Sequence, residues 1–469
     1  MTWRNKLPTL TALLHNRTLR VAVTGLSQSG KTAFITSLVH NLVGTVGRPG
    51  RLPFLRAAAE RRIVAARVLA SDDNTMGRFP LEQNVAALAA DPPHWPSSTT
   101  DLRQVRLALH FSPSGLLGRG SPIGRLARGS AELRIEIVDY PGEWLLDLPL
   151  LRQSYAEWSR AMLDLARHGA RALLARDWLD FLARYPADSA GDPQTARQAH
   201  DLYHDFLTAC REREQLSFLQ PGRFLNRGQV ADASVLLFCP VPLPVGARPR
   251  PGSLAALMET RFEIYKRVIV QPFFEQLARD VDRQIVLVDV LRALNAGEEA
   301  FTDQRVALDI ILAVFRIGRR NLLRLLFGAR IDRVLFAATK ADHVPALQRD
   351  HLEGLMANVV EAPTLRAQAA HARVAATSLA SIRCTQDDTD VIDGRKIDVV
   401  VGLPEGSEKR IRFFPGIVPV TPPPPGFWGE RFTEFPVFQP PRIGRAAEEG
   451  IPHINLDKAL DFLLEDALA

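Results

Sequence analysis

The sequence predicts an α/β fold in which a mostly parallel sheet is covered by helices on both faces, enlarged by a helical insertion and by β-ribbon additions. Three observations carry this expectation. Apolar, β-branched runs of strand length recur between Leu19 and Thr377, helical periodicity separates them, and a glycine-rich turn joins the first run directly to a helix.

The first run, Leu19–Gly25 (LRVAVTG), reads as a buried strand, and a helix follows from Lys31. Residues 44–98 are rich in Arg, Ala, Gly and Pro; they read as an insertion with a helical piece near Pro53–Ala70 and a mobile connection ending in DPPHWPSSTTD. Val105–Phe111 and Leu133–Asp139 are the next strands. From Leu150 to about Glu214 the pattern turns helical, with Tyr155, Trp158, Met162 and Leu165 at three- and four-residue spacing and a break near Pro186–Pro193. Strands return at Ala233–Cys239, Gln284–Val290, Val334–Ala338 and Arg373–Thr377, with helices over 255–280 and 303–326 between them. Residues 391–413 alternate around glycine turns as a β-ribbon. The stretch VPVTPPPPGFWGERFTEFPVFQPPRIG carries too many aromatics for a free linker, so it should wrap the body in extended form. Asn455 then caps a docked helix running to Leu468. The expected division is a sheet domain from 1–149 and 229–469 and a helical domain at 150–228.

Composition bounds the function. With 46% hydrophobic and 23% charged residues, the 469-residue chain can bury a large core and is not a disordered polymer. A net charge of +6, carried mostly by arginine, is mild for this length and argues against nucleic acid as a partner. Arg119, Arg125, Arg128 and Arg134 read as solvated surface. Cys210, Cys239 and Cys384 are far apart, without a CxxC pair or zinc-like spacing, which suggests a reducing compartment and no structural metal. The N-terminus lacks the pattern of a signal peptide, and no apolar stretch is long enough to span a bilayer, so a cytoplasmic protein is expected. The basic, apolar stretch at 316–333 leaves peripheral membrane contact open, although a sheet-covering helix with its arginines in water is the commoner case.

The chemistry lies in three motifs. GLSQSGKT, Gly25–Thr32, fits G-x-x-x-x-G-K-[ST] between a strand and a helix. Gly25 and Gly30 free the backbone so that the N–H groups around Gln28 and Ser29, and on to Ala33 at the helix N-terminus, point at phosphate oxygens. Lys31 reaches the β- and γ-phosphates, and the Thr32 hydroxyl is an Mg²⁺ ligand. In RIEIVDYPGEW, Asp139 ends a strand where a carboxylate can hold Mg²⁺ through water, and the Gly142 N–H can touch a γ-phosphate. In VLFAATKAD, Thr339, Lys340 and Asp342 match [NT]-K-x-D, followed by His343. Asp342 can accept from guanine N1–H and its 2-amino group, a pair that adenine does not offer, and the Lys340 stem can lie along the base. Ser378 and Leu379, after the last strand, stand where a backbone N–H would meet guanine O6.

These motifs, with HWPSST at 94–99, LVDVLRALNAG from 287 and DRVLFAATKADHV from 332, resemble the YcjX-like family of bacterial P-loop GTPases over most of the chain. The resemblance implies a P-loop NTPase fold, GTP/GDP and Mg²⁺ as ligands, and a stress-linked nucleotide switch with a protein effector, in a neighbourhood that includes a membrane protein. It also implies that Trp95, Ser98 and Thr99 belong to the loop covering the nucleotide, with Thr99 or Thr100 as the switch threonine on Mg²⁺. Many small GTPases carry glutamine after the DxxG glycine; here that position is Glu143. A carboxylate beside a triphosphate is repelled unless it faces away or stays protonated, so slow hydrolysis is expected, with Lys31 and backbone amides supplying most charge stabilisation. An ATP-using enzyme, or a scaffold that binds nucleotide without turnover, are the alternatives.

Overall fold

The computed structural model describes residues 17–469 apart from 27, 71–75, 98–100, 115–130, 226–236, 245, 247, 280, 315–330, 369–371, 393, 430–434 and 445–449. Its frame is a sheet of β1 (Arg17–Gly25), β2 (Ile63–Leu69), β3 (Gly77–Arg78), β4 (Arg103–Phe111), β5 (Ala131–Asp139), β6 (Arg283–Val288), β7 (Arg333–Ala338) and β8 (Arg373–Ser378). The order is β2-β4-β5-β1-β6-β7-β8, with β3 on β4. From β5 to β8 every neighbour is parallel; β4 runs antiparallel to β5, and β2 antiparallel to β4. The central strands bury both faces, as their near-continuous apolar runs require. Leu19, Val21, Val23, Ile285, Leu287 and Leu335 point to one core, while Ala22, Val286, Val288 and Phe336 point to the other.

The principal helices are α1 (Lys31–Gly44), α2 (Leu81–Ala89), α3 (Tyr155–Leu165), α4 (Pro193–Glu212), α5 (Leu254–Tyr265), α6 (Val290–Ala296), α7 (Glu298–Val314), α8 (Arg349–Val359) and α9 (Leu456–Leu464). Helix α1 and the C-terminal α9 cover the first core through Phe34, Leu38, Leu460 and Leu463. The second core runs without interruption from the sheet into the 150–228 helices. There α3 starts with a Ser154/Glu157 capping box and α4 with Asp192, whose side chain accepts from Thr195 N, ahead of Pro193. Trp158 stacks on Phe262 of α5, with ring centroids 5.1 Å apart.

Several expectations change. Only Arg56–Ala59 of the 53–70 piece is helical; Ile63–Leu69 pairs with β4, a long-range partner that overrides the arginine- and alanine-rich composition. Of the strand expected at 233–239, residues 233–236 lie outside the described residues, and 237–239 and the residues that follow to 244 join no sheet. Their carbonyls serve the helices instead: Tyr155 Oη donates to Cys239 O at 2.8 Å and Ser159 Oγ to Val241 O at 2.6 Å. The ribbon is a separate sheet of β9 (Gln386–Ile392), β10 (Arg395–Gly402) and β11 (Ile411–Phe413). Asn455 does not cap α9 with its side chain. It adopts the left-handed conformation, and its amide donates to Ser378 O at 2.8 Å. Residues 1–16, most of the 316–333 basic stretch, and Arg119, Arg125 and Arg128 lie outside the described residues. Among the described residues, no helix is long and apolar enough to cross a membrane.

Candidate functional site

Five loops converge at the carboxyl ends of parallel strands, where open α/β sheets place their ligands. They follow β1 (25–32), β5 (139–143), β6 (from 289), β7 (339–343) and β8 (379–384).

The loop after β1 is shaped by its glycines. A Cβ at Gly25 would stand 2.4 Å from Ser29 Oγ and 2.5 Å from Leu287 O, so the turn closes only without a side chain. Gly30, with φ of 86°, hands the chain into α1 from the left-handed region. Lys31 curls back over this loop, its Nζ donating to Gly25 O at 2.7 Å. Gly142 presses on the same carbonyl: a Cβ there would lie 2.3 Å from Gly25 O and 3.0 Å from Leu26 N. Asp139, at the end of β5, is 1% exposed and in register with Val23 of β1. Glu143 is buried and faces the pocket.

The segment behind Glu143 is gripped by the helical insertion. Gly222 packs so closely that a Cβ would lie 2.0 Å from Glu143 O, and its N–H donates to Asp147 Oδ1 at 2.7 Å. The Arg223 guanidinium lies 3.4 Å from the centre of the Trp144 ring.

On the opposite side, Thr339 N and Oγ1 both donate to Val288 O, at 2.9 and 3.3 Å. Lys340 adopts the left-handed conformation with φ of 60°, and its Nζ pairs with Asp289 Oδ2 at 2.6 Å. Asp342 is 3% exposed; its Oδ2 accepts from Cys384 N at 2.8 Å, and the Thr385 hydroxyl donates to its carbonyl. This orients one carboxylate oxygen toward the backbone and the group as a whole toward the pocket. His343 is buried with its ring 5.1 Å from that of Phe438, and this burial pushes the imidazole pKa below its ordinary value.

Between the two sides lies one pocket of about 440 Å³, within the usual size range of small-ligand sites. It joins Gln28, Ser29, Gly30, Lys31, Thr32, Ala33 and Glu143 to Thr339, Lys340, Asp342, His343 and Trp95. Gly25, Asp139 and Gly142 support its floor without lining it. Ser378 and Leu379 are buried behind it: Leu379 N donates to Ala338 O at 2.8 Å, and its carbonyl accepts from Ala341 N at 3.0 Å, bracing the 339–342 loop. The lining positions after β8 are Ala380, Ser381, Ile382 and Cys384, which sequence reasoning missed. It also missed the roof, Phe435–Phe438, for which the aromatics of the proline-rich stretch were the available signal. That stretch straps the 88–95 segment: Trp95 Nε1 donates to Phe438 O (2.9 Å), Gln439 Nε2 to Pro93 O (3.1 Å) and Ile443 N to Leu88 O (3.1 Å). Ser98, Thr99 and Thr100, further along that segment, lie outside the described residues.

Comparison with known proteins places the sequence in a family. The pattern of the YcjX-like family, DUF463, matches residues 19–468. The chain is 36% identical to the Ras-like GTPase YcjX of Escherichia coli K12 over 99% of both chains. It is 34% identical to the Ras-like GTPase YcjX of Shewanella oneidensis MR-1, over 97% of this chain and 96% of that one. With the family pattern spanning nearly every residue and these relatives aligned end to end, the chain belongs to the YcjX-like family.

Proposed function

We propose that the chain binds GTP, hydrolyses it slowly with Mg²⁺, and uses its two nucleotide states as a regulatory switch for a protein effector in stress response. The observation that carries this reading is that Lys31 and Asp342, a phosphate-binding ammonium and a buried carboxylate, line one pocket. Both relatives are named as Ras-like GTPases, which favours the same chemistry. Lys31 would leave Gly25 O for phosphate oxygens, while the amides from Gln28 to Ala33 hold the phosphates at the α1 N-terminus. Asp342 selects guanine through N1–H and the 2-amino group, with Lys340 along the base face and the Ala380–Ser381 backbone near O6.

The donor set suits Mg²⁺. Thr32 lines the pocket and Asp139 is buried beside the end of β1, and this ion is commonly held by one or two protein oxygens plus phosphates and water. Thr32, Asp139 and the switch threonine, Thr99 or Thr100, would hold it, and it would neutralise charge on the β- and γ-phosphates. Glu143 in place of glutamine supports slow intrinsic turnover, because a carboxylate does not draw a nucleophilic water toward a triphosphate without repulsion.

Competitive binding of GTP, ATP and XTP to the wild type and Asp342→Asn tests the base assignment. The wild type should prefer GTP over ATP by at least about 100-fold, and the variant should lose GTP affinity while gaining XTP, whose 2-carbonyl accepts from the new amide. Unchanged GTP affinity in Asp342→Asn would remove the assignment.

A further inference from the structure

Arg292 joins the phosphate loop to the helical insertion. Its Nη1 donates to Gln28 Oε1 at 2.6 Å, and Gln28, with φ of 62°, stands in the phosphate loop itself. Its Nε donates to Gln215 Oε1 at 2.8 Å, in the loop that follows α4. That loop is rigidly set: Asp303 Oδ2 accepts from Ser217 N and Phe218 N at 2.6 and 2.7 Å, while its Oδ1 pairs with Arg171 at 2.7 Å. The helix that presents Arg292 is fixed as well, since Asp289 caps α6 by accepting from Arg292 N at 3.1 Å and holds Lys340 with its other oxygen. Arg292 and Arg211 share a small cavity with Glu143, the residue after the Gly142 that abuts the phosphate loop.

From this placement we infer that Arg292 is a catalytic arginine supplied within the chain, exchanging its Gln28 partner for phosphate oxygen when GTP is bound. The inference rests on the GTPase reading above. A planar guanidinium fits this task because it remains charged in a half-buried site and offers N–H pairs to two oxygens at once. In the step, the water oxygen bonds to the γ-phosphorus as the bond from that phosphorus to the β–γ bridging oxygen breaks. The bond's electron pair stays on GDP, and the water's protons pass to the phosphate product and solvent. Arg292 forms and breaks no covalent bond; it offsets the negative charge that grows on the bridging and γ-oxygens. The helical insertion acts through Gln215, which aims the arginine and makes its supply depend on how the insertion sits.

The test is single-turnover GTP hydrolysis by the full chain, with GDP affinity and GDP–aluminium fluoride binding measured in parallel. Arg292→Ala should hydrolyse at least about tenfold more slowly than the wild type, bind GDP within about threefold, and fail to form the aluminium fluoride complex. Arg292→Lys, which keeps the aliphatic stem and charge, should fold as the wild type does and show the same loss, because an ammonium cannot pair with two oxygens in one plane. Hydrolysis by Arg292→Lys within about threefold of wild type would overturn the inference. So would a wild type that binds GDP but forms no aluminium fluoride complex by itself. A wild type that binds no guanine nucleotide would instead bring down the underlying GTPase reading.

Discussion

Lys340 Nζ stands 2.6 Å from Asp289 Oδ2, so the loop proposed to hold the base is tied to the helix cap that follows the neighbouring strand. The carboxylate is buried and the lysine half exposed, so Asp289 is the fixed partner and Lys340 the one that is positioned.

Replacing that anchor should therefore have two effects. Asp289→Ala removes a helix cap, which costs about 1 kcal/mol, and frees Lys340. Thermal melts should show the lost stability, and GDP titration a fall in affinity of roughly five- to tenfold. If affinity holds while stability drops, the pair serves the helix alone.

Gly142 meets Gly25 where no side chain fits. Gly142→Ala would place a methyl 2.3 Å from Gly25 O, so either the phosphate loop or the β5 end must shift. Nucleotide binding should fall by more than about tenfold, with destabilisation of about 1–3 kcal/mol from overpacking. Gly222→Ala, which would press on Glu143 O, should destabilise similarly and alter hydrolysis more than binding. Paired denaturation and single-turnover measurements separate the two sites.

Asp147 gives a pH signature. Burial raises its carboxyl to about 6, against hydrogen bonds from Tyr265 and Gly222 that pull the other way. A folded-state pKa above the ordinary aspartate value means that the folded chain retains the proton between about pH 4 and 6; stability then falls as pH rises through that window and levels off above it. The expected contribution is about 3 kcal/mol across the window, and Asp147→Asn should abolish it. Urea unfolding of both proteins at several pH values checks the slope; parallel curves would contradict the assignment.

Trp95 reports on the strap. Trp95→Phe keeps an aromatic ring, though a smaller one, and removes the hydrogen bond to Phe438 O, so the roof should open more often and labelled GDP should dissociate a few-fold faster in stopped-flow measurements. Equal dissociation rates would show that the strap does not gate release.

Sequence reading succeeded where the signal was local. The strand, glycine turn and helix over 19–44 were legible because a β-branched run ends in glycines ahead of a helical pattern, and the 339–342 turn because it ends a buried apolar strand. It failed where a distant partner decides the outcome. Ile63–Leu69 becomes a strand because β4 offers an edge, and Asn455 serves Ser378 instead of its own helix. The pocket wall after β8 is displaced from Ser378 and Leu379 because these two residues are spent on the strand end and on bracing Ala341. Arg292 lies within the LVDVLRALNAG stretch, but no sequence pattern joins it to Gln215 or to Gln28; only the fold brings the three together.

The strap has a consequence for biosynthesis. The phosphate loop is made early, yet the pocket wall at 380–384 and the roof at 435–438 come from far later in the chain, as does the α9 face that covers the β1 core. During translation, therefore, residues 25–32 leave the ribosome long before the residues that complete the pocket around them. The apolar face on the β1 side of the sheet likewise stays uncovered until residues 456–464 have emerged.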